Sequence, residues 1–291
     1  MAWTFRQTCT IMALAVTLVA LAPGKPLLAN PVTTAHVQAE LGSAVTTIQP
    51  SASFWVVLHL QMQEGWHTYW QNPGDAGLAT AIRWVLPDGF TAGNMVWPYP
   101  QRLPVGPLMN YGYEGEVALL TQMTAPADLP PGQLVTLQAK TTWVVCADLC
   151  VPGAATLDLH LSVSAAQPQE DARWMAVFAQ TQAALPKPSP WQVVFSAEQD
   201  MLTLLVAGSD FVATRLAEAT FFPLAYGIID HAAPQQIQIT PQGLRLTLRR
   251  GTFDITSLTR IDGVLVLQQE TRDGASHVQA FTISAVPARA S

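Results

Sequence analysis

Two cysteines, Cys146 and Cys150, are the residues whose type and spacing most clearly allow chemistry. Three residues separate them, and apolar, strand-like segments flank the pair at 134–145 and 155–163. We therefore predict a β-hairpin with residues 147–149 as its loop, in which the two cysteines face each other with Cα atoms about 4.5–5.5 Å apart. A disulfide tolerates roughly 4.4–6.8 Å between Cα atoms. The two sulfurs can therefore bond, and part again, without a large movement of the backbone.

This pair is compatible with three kinds of chemistry. As a structural staple it would close a loop of only five residues, which stabilises a fold by about 2 kcal/mol in the chain-entropy model. As a redox pair at a hairpin tip it would be accessible to a partner protein, which thiol–disulfide exchange requires. As two thiolates with one histidine it could hold copper, since thiolates suit Cu(I). The small loop favours redox function, but the spacing alone leaves the staple and the metal site open.

Three residues could modulate the reactivity of the cysteine pair: one lies between the cysteines, and two lie in an aromatic segment. Asp148 lies between the cysteines, and its carboxylate would disfavour a thiolate and raise the pKa of the thiol; a polar turn residue is the simpler interpretation. Tyr111 and Tyr113 lie among turn-forming residues in the segment 110–115, and a second aromatic segment spans 65–74. Such aromatics usually pack in a sandwich core, but they could instead cover the disulfide or bind a partner.

Composition excludes several classes of function. Of the 291 residues, 49% are hydrophobic and 12% are charged, so most of the chain is not intrinsically disordered. The net charge of −6 leaves no basic cluster to neutralise phosphates, so no nucleic-acid partner is expected. The six histidines are scattered without the spacing of metal ligands, and we predict no metal site and no cofactor.

The first 29 residues are predicted to be a signal peptide. Arg6 precedes a 12-residue apolar run, Ile11 to Ala22, which is too short to span a membrane. Cleavage after Ala29 would remove Cys9 and give an exported, periplasmic chain that does not span the membrane. Cys146 and Cys150 then remain as an even pair, which is expected to be bonded in an oxidising compartment.

The remaining sequence predicts an all-β fold of two immunoglobulin-like β-sandwiches joined by a short helical, Pro-rich linker. The first would cover residues 30–165, with loops rich in Gly, Pro and Asn at 72–75 and 97–107. A helix over 170–185 followed by three prolines would form the linker, 166–190. The second sandwich would cover residues 191–291 and contains no cysteine. Strands are predicted at 54–60, 115–123, 134–145, 157–163, 191–196, 201–207, 236–240, 244–249, 264–269 and 278–284.

Four ordered blocks of this sequence resemble the periplasmic N-terminal region of DsbD-type thiol:disulfide interchange proteins. The blocks are Gly65–Asp75, Trp97–Pro100, Tyr111–Gly115 and the cysteine segment Trp143–Pro152. The resemblance covers about residues 35–165. It is closest to the ScsB-like branch, which has three residues between its cysteines and a double-sandwich layout.

The resemblance implies a protein-disulfide reductase component that relays electrons. In the family, a membrane-embedded domain and a thioredoxin-like domain pass electrons to this immunoglobulin-like domain, which reduces periplasmic substrate proteins. By resemblance, Cys150 forms the mixed disulfides and Cys146 resolves them. The 291 residues contain neither of the two donor domains, so a separate thioredoxin-like or membrane-embedded donor is expected. The alternatives are a periplasmic copper-binding or copper-tolerance protein and a binding module with an inert disulfide.

The resemblance also concerns the access to the cysteines. In DsbD a loop aromatic just before a Tyr-Gly pair caps the cysteines. That pair matches Tyr111–Gly112, but the preceding residue here is Asn110. The Phe cap is therefore absent, and Tyr111 or Tyr113 would have to serve as the cap.

Overall fold

The computed structural model describes residues 31–209, 211, 216–255, 258–270 and 276–288. The predicted signal peptide lies outside these residues. Twelve strands form a first β unit: β1 (Val32–Thr34), β2 (Val37–Ser43), β3 (Thr47–Ile48), β4 (Ser53–Met62), β5 (His67–Gly74), β6 (Ala81–Val85), β7 (Thr91–Val96), β8 (Gln101–Val105), β9 (Leu108–Glu114), β10 (Glu116–Thr124), β11 (Leu134–Cys146) and β12 (Cys150–Val163).

The chain continues through a helix and a short strand into a second β unit, residues 191–288. These elements are α1 (Met175–Ala184), β13 (Lys187–Pro188), β14 (Gln192–Glu198), β15 (Met201–Ala207), β16 (Leu216–Pro223), β17 (Gln236–Thr240), β18 (Gly243–Arg249), β19 (Ile261–Glu270) and β20 (Ser276–Pro287). The described chain is therefore β throughout apart from its helical segments, which confirms the predicted fold class.

The first β unit is a sandwich of two sheets. One sheet has the strand order β1-β2-β4-β10-β7, and the other has the order β3-β12-β11-β5-β9-β8, with β6 pairing with β11. Side chains from both sheets share one core, for example Leu58 and Leu119 from the first sheet and Leu137 and Leu157 from the second. Residues 155–163 of β12 alternate between buried and less buried positions. This is the half-buried strand that the period-two sequence pattern predicts.

Two segments that the sequence predicts as loops contain strands. Residues 72–74 belong to β5, and β8 lies inside the segment 97–107. The pairing of β5 with β9 shifts register between Tyr69 and Gly74, so the Asn-Pro-Gly sequence forms an irregularity within the strand. Gly74 has φ +82°, and a Cβ there would lie 2.4 Å from the carbonyl oxygen of Met109. Here the turn-forming residues mark a bulge and not the end of a strand.

The helix α1 is shorter than the predicted 170–185 and packs on the outer face of the first sheet. Trp174, at its N-cap, and Phe178 lie one turn apart, and they contact a small apolar cluster that includes Val57 and Leu120. A Cβ on Gly42 would lie 2.1 Å from the Trp174 ring, so the indole sits directly on the backbone of β2. The helix ends at Ala184, and its C-cap residue Leu185 is extended, as expected before a proline.

The second β unit is built on one path of strands, β16-β19-β20-β14-β15-β18-β17. The long strand β20 pairs with β19 through Ala285 and then with β14 through Val286 and Pro287. Residues of both halves share one core, for example Leu204 and Leu265, so the path folds into two layers. The predicted linker is not a free tether, because Lys187–Pro188 pairs with β20. The exact domain boundaries remain a prediction.

The two β units are joined by a continuous apolar contact. Phe222, Val264 and Ala280 of the second unit are buried with the core of the first unit. The Phe222 ring lies edge-on to Trp70 and to Tyr111, with centroids 6.2 and 4.9 Å apart. The face of the first unit that carries β5 and β9 is therefore covered by the second unit.

Candidate functional site

The cysteine pair lies at the tip of the predicted hairpin. β11 and β12 pair along their whole length, and the last partners in the ladder are Cys146 and Cys150. The two sulfurs are bonded, and the Cα atoms are 4.1 Å apart, just below the predicted separation. Residues 147–149 form the loop, which is closed by a hydrogen bond from the amide of Ala147 to the carbonyl oxygen of Leu149.

The two cysteines differ in exposure. Cys146 is only 2% exposed, whereas Cys150 is an exposed residue. Asp148 is also exposed at the tip, and the side chain of Leu149 beside it is 61% exposed. A protein that approaches the hairpin tip therefore meets Cys150 and the apolar Leu149 before it meets Cys146.

Tyr69 of β5 is the aromatic residue in contact with the sulfurs. Its hydroxyl donates a hydrogen bond of 2.7 Å to Sγ of Cys146 and lies 3.7 Å from Sγ of Cys150. The ring is fully buried, and burial raises the pKa of Tyr69, so the phenol stays a neutral donor at physiological pH. A Cβ on Gly77, which has φ +93°, would lie 2.1 Å from Cζ of this ring, so only glycine fits there.

This donor defines a chemical difference between the two sulfurs. If a thiolate attacks Sγ of Cys150, the exposed cysteine, the bond that breaks leaves negative charge on Sγ of Cys146. The Tyr69 hydroxyl already points at that atom. Hydrogen bonds to a charged acceptor are stronger than those to a neutral one, so the contact favours Cys146 as the leaving group.

His67 lies beside the pair in the same sheet. It is the β5 residue opposite Cys146, and its ring is edge-on to Tyr69 with centroids 5.2 Å apart. Nε2 of His67 lies 3.4 Å from Nδ2 of Asn110. Burial lowers the pKa of His67, and the charge of Glu114 opposes this only in part. The imidazole is therefore neutral at physiological pH and can accept the amide hydrogen of Asn110 through Nε2.

The structure gives the two predicted cap residues, Tyr111 and Tyr113, partners other than sulfur, and it places Asp148 in solvent. Tyr111 is buried against Phe222 and His231 of the second unit, and the Tyr113 hydroxyl donates to the carbonyl oxygen of Pro98. Asp148 lies exposed in the loop between the two cysteines. A capping role for Tyr111 or Tyr113 stays a prediction, while the observed contact to sulfur comes from Tyr69.

Sequence reasoning did not single out Tyr69 or His67, although both lie in the block Gly65–Asp75. A strand predicted over this block would have placed His67 and Tyr69 on the same face, because residues two apart in a strand point the same way. The glycines and the proline instead favour a turn, which obscures that spacing. Neither the Tyr69 hydroxyl contact, across 77 residues of chain, nor the pairing of β5 with β11 has a local signature.

The described part of the chain contains no group of three or more His, Cys, Asp or Glu side chains placed to hold a metal ion. His67 is the histidine that strand pairing places opposite Cys146. Within the same residues, no helix is long and apolar enough to cross a membrane.

The sandwich carries a disulfide at a hairpin tip, with one exposed cysteine and one buried cysteine whose sulfur accepts a hydrogen bond from a phenol. This is the geometry of a thiol–disulfide exchange module. The family model described as "Thiol:disulfide interchange protein DsbD, N-terminal" matches residues 37–162. This segment is a DsbD-type N-terminal domain, as the four sequence blocks predict.

A solved structure has a similar fold. The N-terminal periplasmic domain of ScsB from Proteus mirabilis matches with a TM-score of 0.60 and 19% identity, over 89% of this chain and 98% of that chain. The match extends over both β units. The major pilin subunit BcpA of Bacillus cereus matches with a TM-score of 0.27 and 9% identity, over 89% of this chain and 69% of that chain, which is too low to support an argument. None of the curated proteins matches this chain in sequence.

Proposed function

We propose that this protein is a periplasmic thiol–disulfide exchange protein that relays electrons through the Cys146–Cys150 disulfide. The donor would be a thioredoxin-like or membrane-embedded protein, and the acceptors would be substrate proteins that carry disulfides. The observation that carries the proposal is the asymmetry of the pair: Cys150 is exposed, and buried Cys146 accepts a hydrogen bond from Tyr69.

The first half of the proposed cycle reduces the pair. A donor thiolate attacks Sγ of Cys150, a mixed disulfide forms, and the electron pair of the broken bond goes to Sγ of Cys146. The second thiol of the donor then attacks the mixed disulfide and releases Cys150 as a thiolate. The donor leaves as a disulfide, and two electrons have passed to the cysteine pair.

The second half reduces a substrate. The Cys150 thiolate attacks a substrate disulfide and forms a new mixed disulfide, and one substrate sulfur leaves as a thiolate. The Cys146 thiolate then attacks Sγ of Cys150, which restores the intramolecular disulfide and releases the substrate in its dithiol form. Cys150 is therefore the residue that contacts both partners, and Cys146 is the resolving residue.

The location and the partners rest on two further supports. The first 29 residues have the pattern of a secretory signal, and the similar Proteus mirabilis ScsB domain is described as periplasmic. In that compartment a solvent-accessible pair needs a protein donor to be reduced repeatedly. The exposed Leu149 beside Cys150 gives such a partner an apolar contact.

Trapping experiments test the proposal. A Cys146→Ala variant should accumulate mixed disulfides with a thioredoxin-like protein, because the resolving thiol is absent, whereas Cys150→Ala should accumulate few. The complexes can be quantified by non-reducing electrophoresis and mass spectrometry. Equal trapping by the two variants would contradict the assignment of roles.

Two measurements separate this function from its alternatives. A Cu(I) titration of the reduced chain tests the copper alternative, and His67→Ala shows whether the histidine opposite Cys146 in the ladder contributes. A reduction potential well below about −300 mV would indicate an inert, structural disulfide. The exchange function predicts a higher potential and no His67-dependent Cu(I) affinity.

A further inference from the structure

The second β unit holds the end of β5 and the turn after it through the side chains of Asn72 and Asp75. Nδ2 of Asn72 donates a 2.8 Å hydrogen bond to the carbonyl oxygen of Pro223, and Nδ1 of His231 lies 2.9 Å from Oδ1 of Asp75. Since a carboxylate can only accept, the imidazole donates its Nδ1 hydrogen. We call residues 72–77, the last three residues of β5 and the turn after them, the connecting loop.

His231 is fixed in position from several sides. It is only 3% exposed, and its ring packs edge-on against Tyr111 and Tyr226 with centroids 5.0 and 5.6 Å apart. Its backbone carbonyl oxygen accepts a 2.9 Å hydrogen bond from the guanidinium of Arg102 in β8. Among the described residues its Nε2 has no hydrogen-bond partner, so Asp75 is the polar partner of the ring.

Asp75 also contacts β9, the strand that pairs with β5. Its Oδ2 accepts a 2.8 Å hydrogen bond from the amide of Met109 in β9, and its own amide donates to the carbonyl oxygen of Met109. Met109 precedes Asn110, whose side chain lies against His67. The carboxylate therefore ties the second unit to β9 and to the connecting loop at once.

The connecting loop ends against the residue that holds the buried sulfur. The Cα of Gly77 packs on the Tyr69 ring so closely that a Cβ would overlap it. The hydroxyl of that ring donates to Sγ of Cys146. An unbroken series of contacts therefore runs from His231 through Asp75 and the connecting loop to Tyr69 and the disulfide.

We propose that His231 is a positioning residue for the disulfide, acting through Asp75 and the connecting loop to hold the Tyr69 hydroxyl on Sγ of Cys146. This gives the second β unit, which has no cysteine, a role in the proposed exchange function on which the inference rests. His231 does not touch the reacting sulfurs. Its effect is to keep the donor aimed at the leaving sulfur before a partner thiolate arrives.

A double-mutant cycle on the full chain tests the coupling. The measured quantity is the rate at which dithiothreitol reduces the Cys146–Cys150 bond. Tyr69→Phe is expected to slow this rate about tenfold, because Sγ of Cys146 loses its hydrogen-bond donor while it gains negative charge. His231→Ala should slow it several-fold in the wild-type background and have no further effect in the Tyr69→Phe background. His231→Asn should restore most of the rate, because Nδ2 of asparagine can take the place of Nδ1 of histidine.

Two control variants separate positioning from general loss of stability. Ile228→Val removes one methylene from the buried core of the second unit, and His277→Ala removes an exposed histidine of β20. Neither should change the reduction rate of the folded protein. If His231→Ala does not fold, Asp75→Asn replaces it in the same cycle.

The outcomes are distinct. Equal slowing by His231→Ala with and without Tyr69, no slowing at all, or failure of asparagine to restore the rate would each overturn the positioning role. Because dithiothreitol needs no protein partner, the cycle reports on the coupling even if the chain exchanges with no thioredoxin-like protein. Absence of exchange with a thioredoxin-like protein would overturn the proposed function, but it would not affect the measurement of the coupling.

Discussion

At the scale of single residues, the site depends on how differently the two sulfurs are surrounded. Cys150 is exposed, whereas Cys146 is buried and accepts the Tyr69 hydroxyl. The phenol stays protonated at physiological pH, because burial raises the pKa of Tyr69, so it does not act as a base. Its role is that of a fixed hydrogen-bond donor, which stabilises the sulfur most when the sulfur carries negative charge.

We therefore expect Tyr69→Phe to raise the pKa of the Cys146 thiol in the reduced protein. A hydrogen bond to a charged group contributes about 1.5–3 kcal/mol, which corresponds to a rise of roughly one to two pH units. Thiolate absorbance near 240 nm, recorded against pH in a Cys150→Ala background, measures this. Tyr113→Phe is the matched control, because the Tyr113 hydroxyl bonds to the carbonyl oxygen of Pro98 and not to sulfur. A similar rise in both variants would contradict a specific contact.

His67 predicts a pH dependence of stability. Burial lowers its pKa in the folded protein, so the unfolded chain binds the proton more readily. The stability conferred by the neutral ring is complete above about pH 6.5, the ordinary imidazole pKa, and is lost as the pH falls through the lowered value. Denaturant unfolding between pH 7.5 and 5 should show a steeper loss for the wild type than for His67→Gln. Equal slopes for the two proteins would rule the effect out.

At the scale of elements, the long hairpin of β11 and β12 holds the cysteines in register without help from their bond. The strands pair from Leu134–Ser162 to Cys146–Cys150, and the Trp143 ring packs on Gly153 across the ladder. Linking two residues only four apart in sequence removes little entropy from the unfolded chain, so the bond adds little to stability. The hairpin therefore tolerates both the bonded and the reduced state.

Reduction of the disulfide should accordingly lower the free energy of unfolding by no more than about 2 kcal/mol. Denaturant melts of the oxidised and the reduced protein, followed by far-ultraviolet circular dichroism, measure the difference. A Cys146→Ala/Cys150→Ala double variant controls for effects of the reductant. Collapse of the fold on reduction would reject the relay function, because a relay must be folded in both states.

At the scale of the whole molecule, the two β units bury the β5–β9 face between them. Tyr111 lies at the centre of this contact, against Phe222 and His231, and its hydroxyl has no hydrogen-bond partner among the described residues. The second unit therefore contributes both apolar packing and, through His231, the orientation of the connecting loop. Separate sandwiches on a flexible linker would provide neither.

This packing predicts opposite results for two substitutions of Tyr111. Tyr111→Ala should cost about 3–5 kcal/mol, as buried aromatic truncations do, whereas Tyr111→Phe should be close to neutral because the hydroxyl makes no bond to lose. Chemical unfolding of both variants provides the test, together with their rates of thiol oxidation per folded molecule. Faster oxidation without loss of stability in Tyr111→Ala would instead support the cap role predicted from the sequence.

The sequence by itself determined the features that depend on near neighbours in the chain. The hairpin and the bonding of Cys146 to Cys150 follow from a four-residue separation between two apolar strands, and the alternation in 157–163 predicts a half-buried strand. Only the tertiary structure decided what surrounds the buried sulfur. Tyr69 reaches Cys146 across 77 residues and His231 reaches Asp75 across 156. Such contacts arise from the packing of sheets and units, which no local periodicity encodes, and the turn-forming residues of β5 hide the strand that carries Tyr69.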